Sequence, residues 1–312
     1  VINMDNLKKV GLTALGTALV SSTAFAGGVS VTGTAQVTLT GEDNTNHGNG
    51  WSMTDSLSFS GSADLDNGWA VTYNQAIDGG AAAGNTDIVV NMGDMGTYTF
   101  VKQGSSGPVS SWDDMTPSAN EESYANVTGA TNPDDGFSSA NAHLYTNGNL
   151  MDGVSISIGY QPSNGTADLK SSTEYGIQYT GIDGLEVGYA MGDNEGSSAV
   201  TENSVFYATY AMDAFTIGIQ TNEVDSETAD ADYDFEALGV SYAVSDDMSI
   251  SYGMAEVSYE NSSLTDQESG ALSFSYTNGS MTVSSTYTNV DNIGGTSTSD
   301  NSGYEINFKF AF

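Results

Sequence analysis

Residues able to do chemistry in this 312-residue chain are almost all carboxylates: 40 Asp and Glu stand against five basic residues, all lysine, with two histidines and no cysteine. A nucleophilic triad would need His47 or His143 beside a serine and an acid. His47 sits in a Gly- and Asn-rich stretch that water would solvate, and His143 falls in an alternating segment where it lines a wall. Catalysis therefore has little to stand on. The acidic runs Asp225 to Asp234 and Asn132 to Gly136 offer hard oxygen ligands. Neither has the regular spacing of a calcium loop, which leaves solvated loops, adventitious Ca²⁺ at most, and no cofactor. The largest group lies between residues 104 and 139 and contains Asp113, Asp114, Glu121, Glu122, Asp134 and Asp135. Carboxylates with so few partners repel nucleic acid and anionic headgroups and attract cations. Screening in a salty medium removes much of their mutual repulsion.

The elements that must carry these acids are strands. In the closing stretch Tyr304, Ile306, Phe308, Phe310 and Phe312 fall on one face, and Glu305, Asn307, Lys309 and Ala311 on the other. A strand that is apolar on one side and charged on the other fits a barrel wall with lipid outside and water inside. Sixteen alternating segments of this kind, bounded by Gly, Asn, Asp and Ser, run along the chain. Clear ones start at Val29, Trp51, Val154, Leu185, Phe215, Leu238, Met248, Leu272 and Met281. The fourth (around Ile88 to Met92), sixth (Ala140 to Thr146), eighth (Thr173 to Thr180) and tenth (Glu202 to Met212) have no clean face.

Connections alternate in length. Short ones such as Asp66-Asn67-Gly68 and Ser245-Asp246-Asp247 alternate with longer acidic loops at 41–50, 78–85, 104–139, 162–171, 193–201, 222–232, 260–267 and 291–302. Tight turns at one end and long loops at the other characterise an up-and-down barrel, and an even strand count returns both termini to the same side. Inward Ser, Thr, Asn and Gln would cost several kcal/mol each in a dry core without partners but are at home against water. Sixteen strands leave room for an aqueous channel. The expected fold is an all-β transmembrane antiparallel barrel.

Lys8 and Lys9, the apolar run Val10 to Val20 and Ala24-Phe25-Ala26 predict a secretory leader at 1–26, residues 1–3 lying upstream of the start, and a single domain at 27–312. Removing the leader leaves 39 acids against Lys102, Lys170 and Lys309. No later stretch is apolar enough for a spanning helix.

Gly96 to Gln103, Asn141-Ala142-His143-Leu144-Tyr145, Gly153 to Tyr160 and the terminal Phe312 are similar to segments of general bacterial porins of the sixteen-stranded trimeric type, and the resemblance covers essentially the whole chain after the leader. It implies an outer-membrane homotrimer surrounded by lipid. It also implies passive passage of ions and small hydrophilic solutes, with the loop after the fifth strand folded into the barrel. Asp113, Asp114, Glu121 and Glu122 would then stand at the constriction. Family members commonly set arginines opposite that loop. Here there is no arginine, Leu144 stands where a basic residue is usual, and Lys102 is the nearby cation, so the pore should favour cations. The alternatives are a solute-selective channel and a non-conducting surface β protein or adhesin. The exposed apolar rows favour a channel.

Overall fold

The computed structural model describes residues 28–43, 50–79, 82–104, 107–133, 136–137, 141–163, 165, 170–195 and 200–312. The leader, His47, Asp134 and Asp135 lie outside them. The strands are β1 (Val29–Glu42), β2 (Trp51–Asp64), β3 (Ala70–Asp78), β4 (Ala82–Asn91), β5 (Thr97–Gln103), β6 (Ala142–Met151), β7 (Val154–Gln161) and β8 (Ser172–Ile182). They continue as β9 (Leu185–Asn194), β10 (Thr201–Met212), β11 (Phe215–Ser226), β12 (Tyr233–Ser245), β13 (Met248–Tyr259), β14 (Gln267–Asn278), β15 (Met281–Asp291) and β16 (Asn301–Ala311). Each pairs antiparallel with its sequence neighbours, and β16 closes on β1 with Phe308 opposite Val37 and Ile306 opposite Leu39. Closure removes every sheet edge, which a hydrocarbon surrounding requires.

Register settles the faces. Ile217, Val240, Tyr252 and Leu272 stand in one cross-strand row, Val240 half-buried and the others exposed, as are Ile219, Tyr175 and Ile177. This is the apolar outer band. The strands without a clean face resolve the same way: Ile88, Tyr98, Phe100, His143 and Tyr160 share the outer face. Tyr98 Oη lies 2.7 Å from His143 Nδ1, which gives the imidazole a partner on the outer wall.

Three boundaries differ from the sequence reading. β4 begins at Ala82 and pairs with β3 through an irregularity between Ala83 and Thr86, and β6 runs on to Met151 through another. Residues 222–226, expected as loop, continue β11. Polar composition suggested a loop, yet Asn222 and Val224 turn inward and are buried while Glu223 and Asp225 face out, with pairing on both flanks through Val224.

Those outward acids belong to a larger pattern. At the long-loop end, Glu236, Glu256, Glu268 and Asp291 stand directly opposite one another across β12 to β15. Like charges so placed are unfavourable unless water and salt screen them. The ladder therefore marks where the sheet rises out of the apolar layer. The buried apolar residues sit inside the barrel, between its wall and the segment from Gly107 to Phe137: Phe235, Ala237, Ala255 and Val257 with Tyr124; Val101, Ala142 and Phe137 with Leu144; Val109, Ala190 and Val205 with Trp112.

Candidate functional site: a lumen narrowed by one loop

After β5 the chain turns inward, forms a one-turn helix α1 (Pro108–Ser111), and runs along the inner wall. Its polar contacts follow the strands in turn. Met115 N–H donates to Gln220 Oε1 at 2.6 Å and Ala119 N–H to Ser251 Oγ at 2.8 Å. Asn120 Nδ2 reaches Thr286 Oγ1 at 2.9 Å, and its Oδ1 accepts from Ser284 at 2.6 Å. Thr128 Oγ1 donates to Glu42 Oε1 at 2.6 Å, and Thr131 N–H to Gln267 Oε1 at 2.8 Å. Inward side chains that seemed suited to open water are thus the acceptors for loop amides. Where the loop passes closest, the wall has no side chain: a Cβ on Gly218 would come within 2.5 Å of Pro117, and one on Gly239 within 3.0 Å of its backbone. Edge-to-face ring contacts complete the seat, Trp112 with Tyr207 and Tyr124 with Phe235, with centroids 5.6 and 5.3 Å apart.

The loop covers one side of the lumen only. Inward residues of β11, such as Gln220 and Asn222, and of β15, such as Thr286 and Thr288, are buried beneath it. Inward residues of β2 are not: Ser52 and Thr54 are exposed, and Ser56, Ser58 and Ser60 partly so. The aperture is therefore the crescent between the loop and the wall of β1 to β4. A direct check is available, because an ideal Cβ on Gly253 lies 3.4 Å from Ser123 Cβ, at the edge of the disulfide range. In a chain without cysteine, Ser123→Cys with Gly253→Cys should oxidise to a cross-link, read by thiol labelling before and after reduction. Thiols that stay free would mean the loop lies elsewhere.

The anticipated constriction acids separate into two kinds. Asp114, Glu121 and Glu122 lie close enough to interact and meet Glu305 of β16. Burial, then the charges of Glu122 and Glu305 and a hydrogen bond with Glu305, push the Glu121 carboxyl up to about 8. Glu122 is raised chiefly by burial, with Asp114 and Glu305 adding to it. Asp113 anchors the loop through its carbonyl, which accepts from Gln220 Nε2. Glu305 was not among the anticipated site residues, although alternation had placed it on the water side of the closing strand. Across the crescent Asp87 faces inward and accepts from Asn74 Nδ2 at 2.8 Å.

Lys102 requires correction. Val101 packs inward against Phe137, and Lys102 follows it as an exposed residue at the irregularity between β4 and β5, beyond the last β5–β6 pair. Strand alternation therefore does not direct it into the lumen opposite the acids. Lys170 pairs with Glu195 in a loop at 3.0 Å. Lys309, on the inner face of β16 beside Glu305 and Asn307, is the basic side chain that register directs into the lumen. Leu144 does face inward, against Val101 and Phe137. Among the described residues no group of three or more His, Cys, Asp or Glu converges as a metal centre, the 225–234 run included.

Comparison with solved structures finds the same architecture repeatedly. The chain superposes on an anion-selective porin from Comamonas acidovorans with a TM-score of 0.70 at 15% identity, covering 91% of this chain and 99% of the other. The outer-membrane protein OmpT of Vibrio cholerae, in a trimer form, gives 0.68 at 15% identity over 92% and 100%. OmpF of Salmonella typhi, in complex with daunomycin, gives 0.70 at 14% over 92% and 98%. Comparison with curated sequences returned no match. Residues 11–269 match the family profile described as Gram-negative porin. With that match over most of its length, on a closed sixteen-stranded barrel, the chain belongs to the Gram-negative porin family and is a channel protein of the bacterial outer membrane.

Proposed function

We propose that the channel is a non-enzymatic, cation-preferring pathway for passive diffusion of ions and small hydrophilic solutes. In this reading it is exported by a leader cleaved after Ala26, sits among outer-membrane lipid and acts as a homotrimer. The observation that carries the preference is the lumen's charge: Asp114, Glu122 and Glu305 lie on the loop side and Asp87 on the wall across from them, with Lys309 as the inward cation. With acids on both sides there is no transverse field of opposite charges, and the potential of the aperture favours cations. The Comamonas relative is described as anion-selective; at 15% identity its preference does not carry over, and the charges of this lumen argue the opposite sign. The trimer form of the Vibrio protein supports a trimer here.

Neutral solutes have a path too. The inward faces of β1 and β2 carry hydroxyls in register, Thr32 opposite Ser58 and Thr34 opposite Ser56, groups that both donate and accept. This favours small polyhydroxylated solutes alongside cations. The test is reversal potential across a planar bilayer under a salt gradient. Stepwise conductance with a cation-selective reversal supports the proposal; anion selectivity, or no steps from well-folded, heat-resistant protein, overturns it.

A further inference from the structure

We infer that Glu174 is a latch: its one carboxylate gathers both ends of the constriction loop onto the barrel wall and so sets the width of the aperture. The inference rests on the reading of the loop as the pore's constriction. Glu174 faces inward from β8 and is 1% exposed. Its Oε2 accepts the N–H of Val109, where the loop enters, at 2.9 Å, and its Oε1 accepts the N–H of Phe137, where the loop leaves, at 3.0 Å. The two ends of a long insertion are thus tied to one point, one oxygen to each.

The surroundings are shaped for this contact. A Cβ on Gly107 would come within 2.1 Å of Glu174 Oε2, and one on Gly136 within 2.3 Å of Oε1, so both loop ends reach the carboxylate only without side chains. Gly136 also has φ +67°, and its carbonyl accepts from Asn194 Nδ2 at 2.9 Å. On either side apolar residues exclude water: Phe137 against Val101 and Ala142, Val109 against Ala190 and Val205. An ionised carboxylate with two equivalent acceptors suits two converging amides better than any neutral side chain. Glutamine would serve one amide and present its own N–H₂ to the other.

Latch and charge make different forecasts for Glu174→Gln. Loss of one negative charge by itself lowers a cation current steadily, without new levels. Release of the loop from the β8 wall frees it to swing into the crescent, so conductance flickers between the wild-type level and lower ones, roughly 1.5-fold or more apart. The expected result is therefore a noisier single-channel conductance with added lower levels, and unchanged β content and heat resistance. Glu174→Asp, which keeps both acceptors, should fall between Glu174→Gln and wild type.

A second readout does not depend on conduction. Hydrogen exchange at the Val109 and Phe137 amides should quicken about tenfold or more in Glu174→Gln, as expected for a buried donor losing its acceptor. Unchanged exchange together with steady, flicker-free conductance overturns the latch. Silent wild-type protein whose amides still respond to the substitution would count against the channel reading while sustaining the latch. Glu174→Gln is nearly isosteric, so it decides the matter even if Glu174→Ala does not fold.

Discussion

Replacing Asp114 and Glu122 by Asn and Gln, together with Glu305→Gln, is expected to remove most of the cation preference while leaving an open, folded pore. Each carboxylate about 6 Å from a passing ion is worth ~0.7 kcal/mol in bulk water, with opposite sign for anions. Three such groups, partly screened, change the cation-to-anion permeability ratio on the order of tenfold at 0.1 M salt. The difference should shrink in 1 M salt, where the screening length falls to ~3 Å. Asp113→Asn should do less, because Asp113 is not among the acids that interact with Glu121 and Glu122, and its carbonyl bond to Gln220 is kept. Lys102→Gln should change selectivity little, since Lys102 is exposed at the loop end of β5 and is not among the charges that act on Glu121 and Glu122. A triple variant with wild-type reversal potential, or a Lys102→Gln variant that shifts it, would show that the preference is set elsewhere.

The second large effect is a pH dependence centred near 8. Glu121 is held protonated well above its ordinary 4.5 because it is buried among Glu122, Glu305 and Asp114 and hydrogen-bonded to Glu305. The docked loop thus binds a proton that the undocked loop would release. Its docking is firmest below about 4.5 and weakens as pH rises toward about 8, by up to ~1.4 kcal/mol per pH unit before solvent screening is counted. Above that range Glu121 ionises, adding a charge to the aperture and repelling Glu305. Reversal potentials followed from pH 5 to 10 should become more cation-selective around pH 8, with noisier conductance at the alkaline end. In Glu121→Gln the step should vanish. A titration of the same midpoint in that variant would assign the proton to another group.

Much of this protein was legible residue by residue. The closing strand's alternation from Tyr304 to Phe312 specified one wall side for lipid and one for water, and β16 closes on β1 in that sense. At Lys102 alternation stops being a guide, because β5 carries an extra residue there against β4. Residues 222–226 misled for a different reason: their acids suggest a loop, but strand pairing tolerates outward charge once the sheet stands in water.

The constriction itself was not legible beyond its acids. Glu121 meets Thr286, 165 residues away, and Met115 meets Gln220, 105 away. Nothing local in Glu305 or Glu174 distinguishes them from the chain's many other carboxylates. Sequence alone determined the strands, the two faces of most of them, the closed barrel and the excess of negative charge, because alternation and composition are local properties; the faces of β4, β6, β8 and β10 waited for the register. Tertiary structure alone decided where the loop lies, which acids share a proton, which lysine faces the lumen and which side of the barrel stays open. Those depend on register accumulated around sixteen strands and on contacts between residues that the sequence keeps far apart.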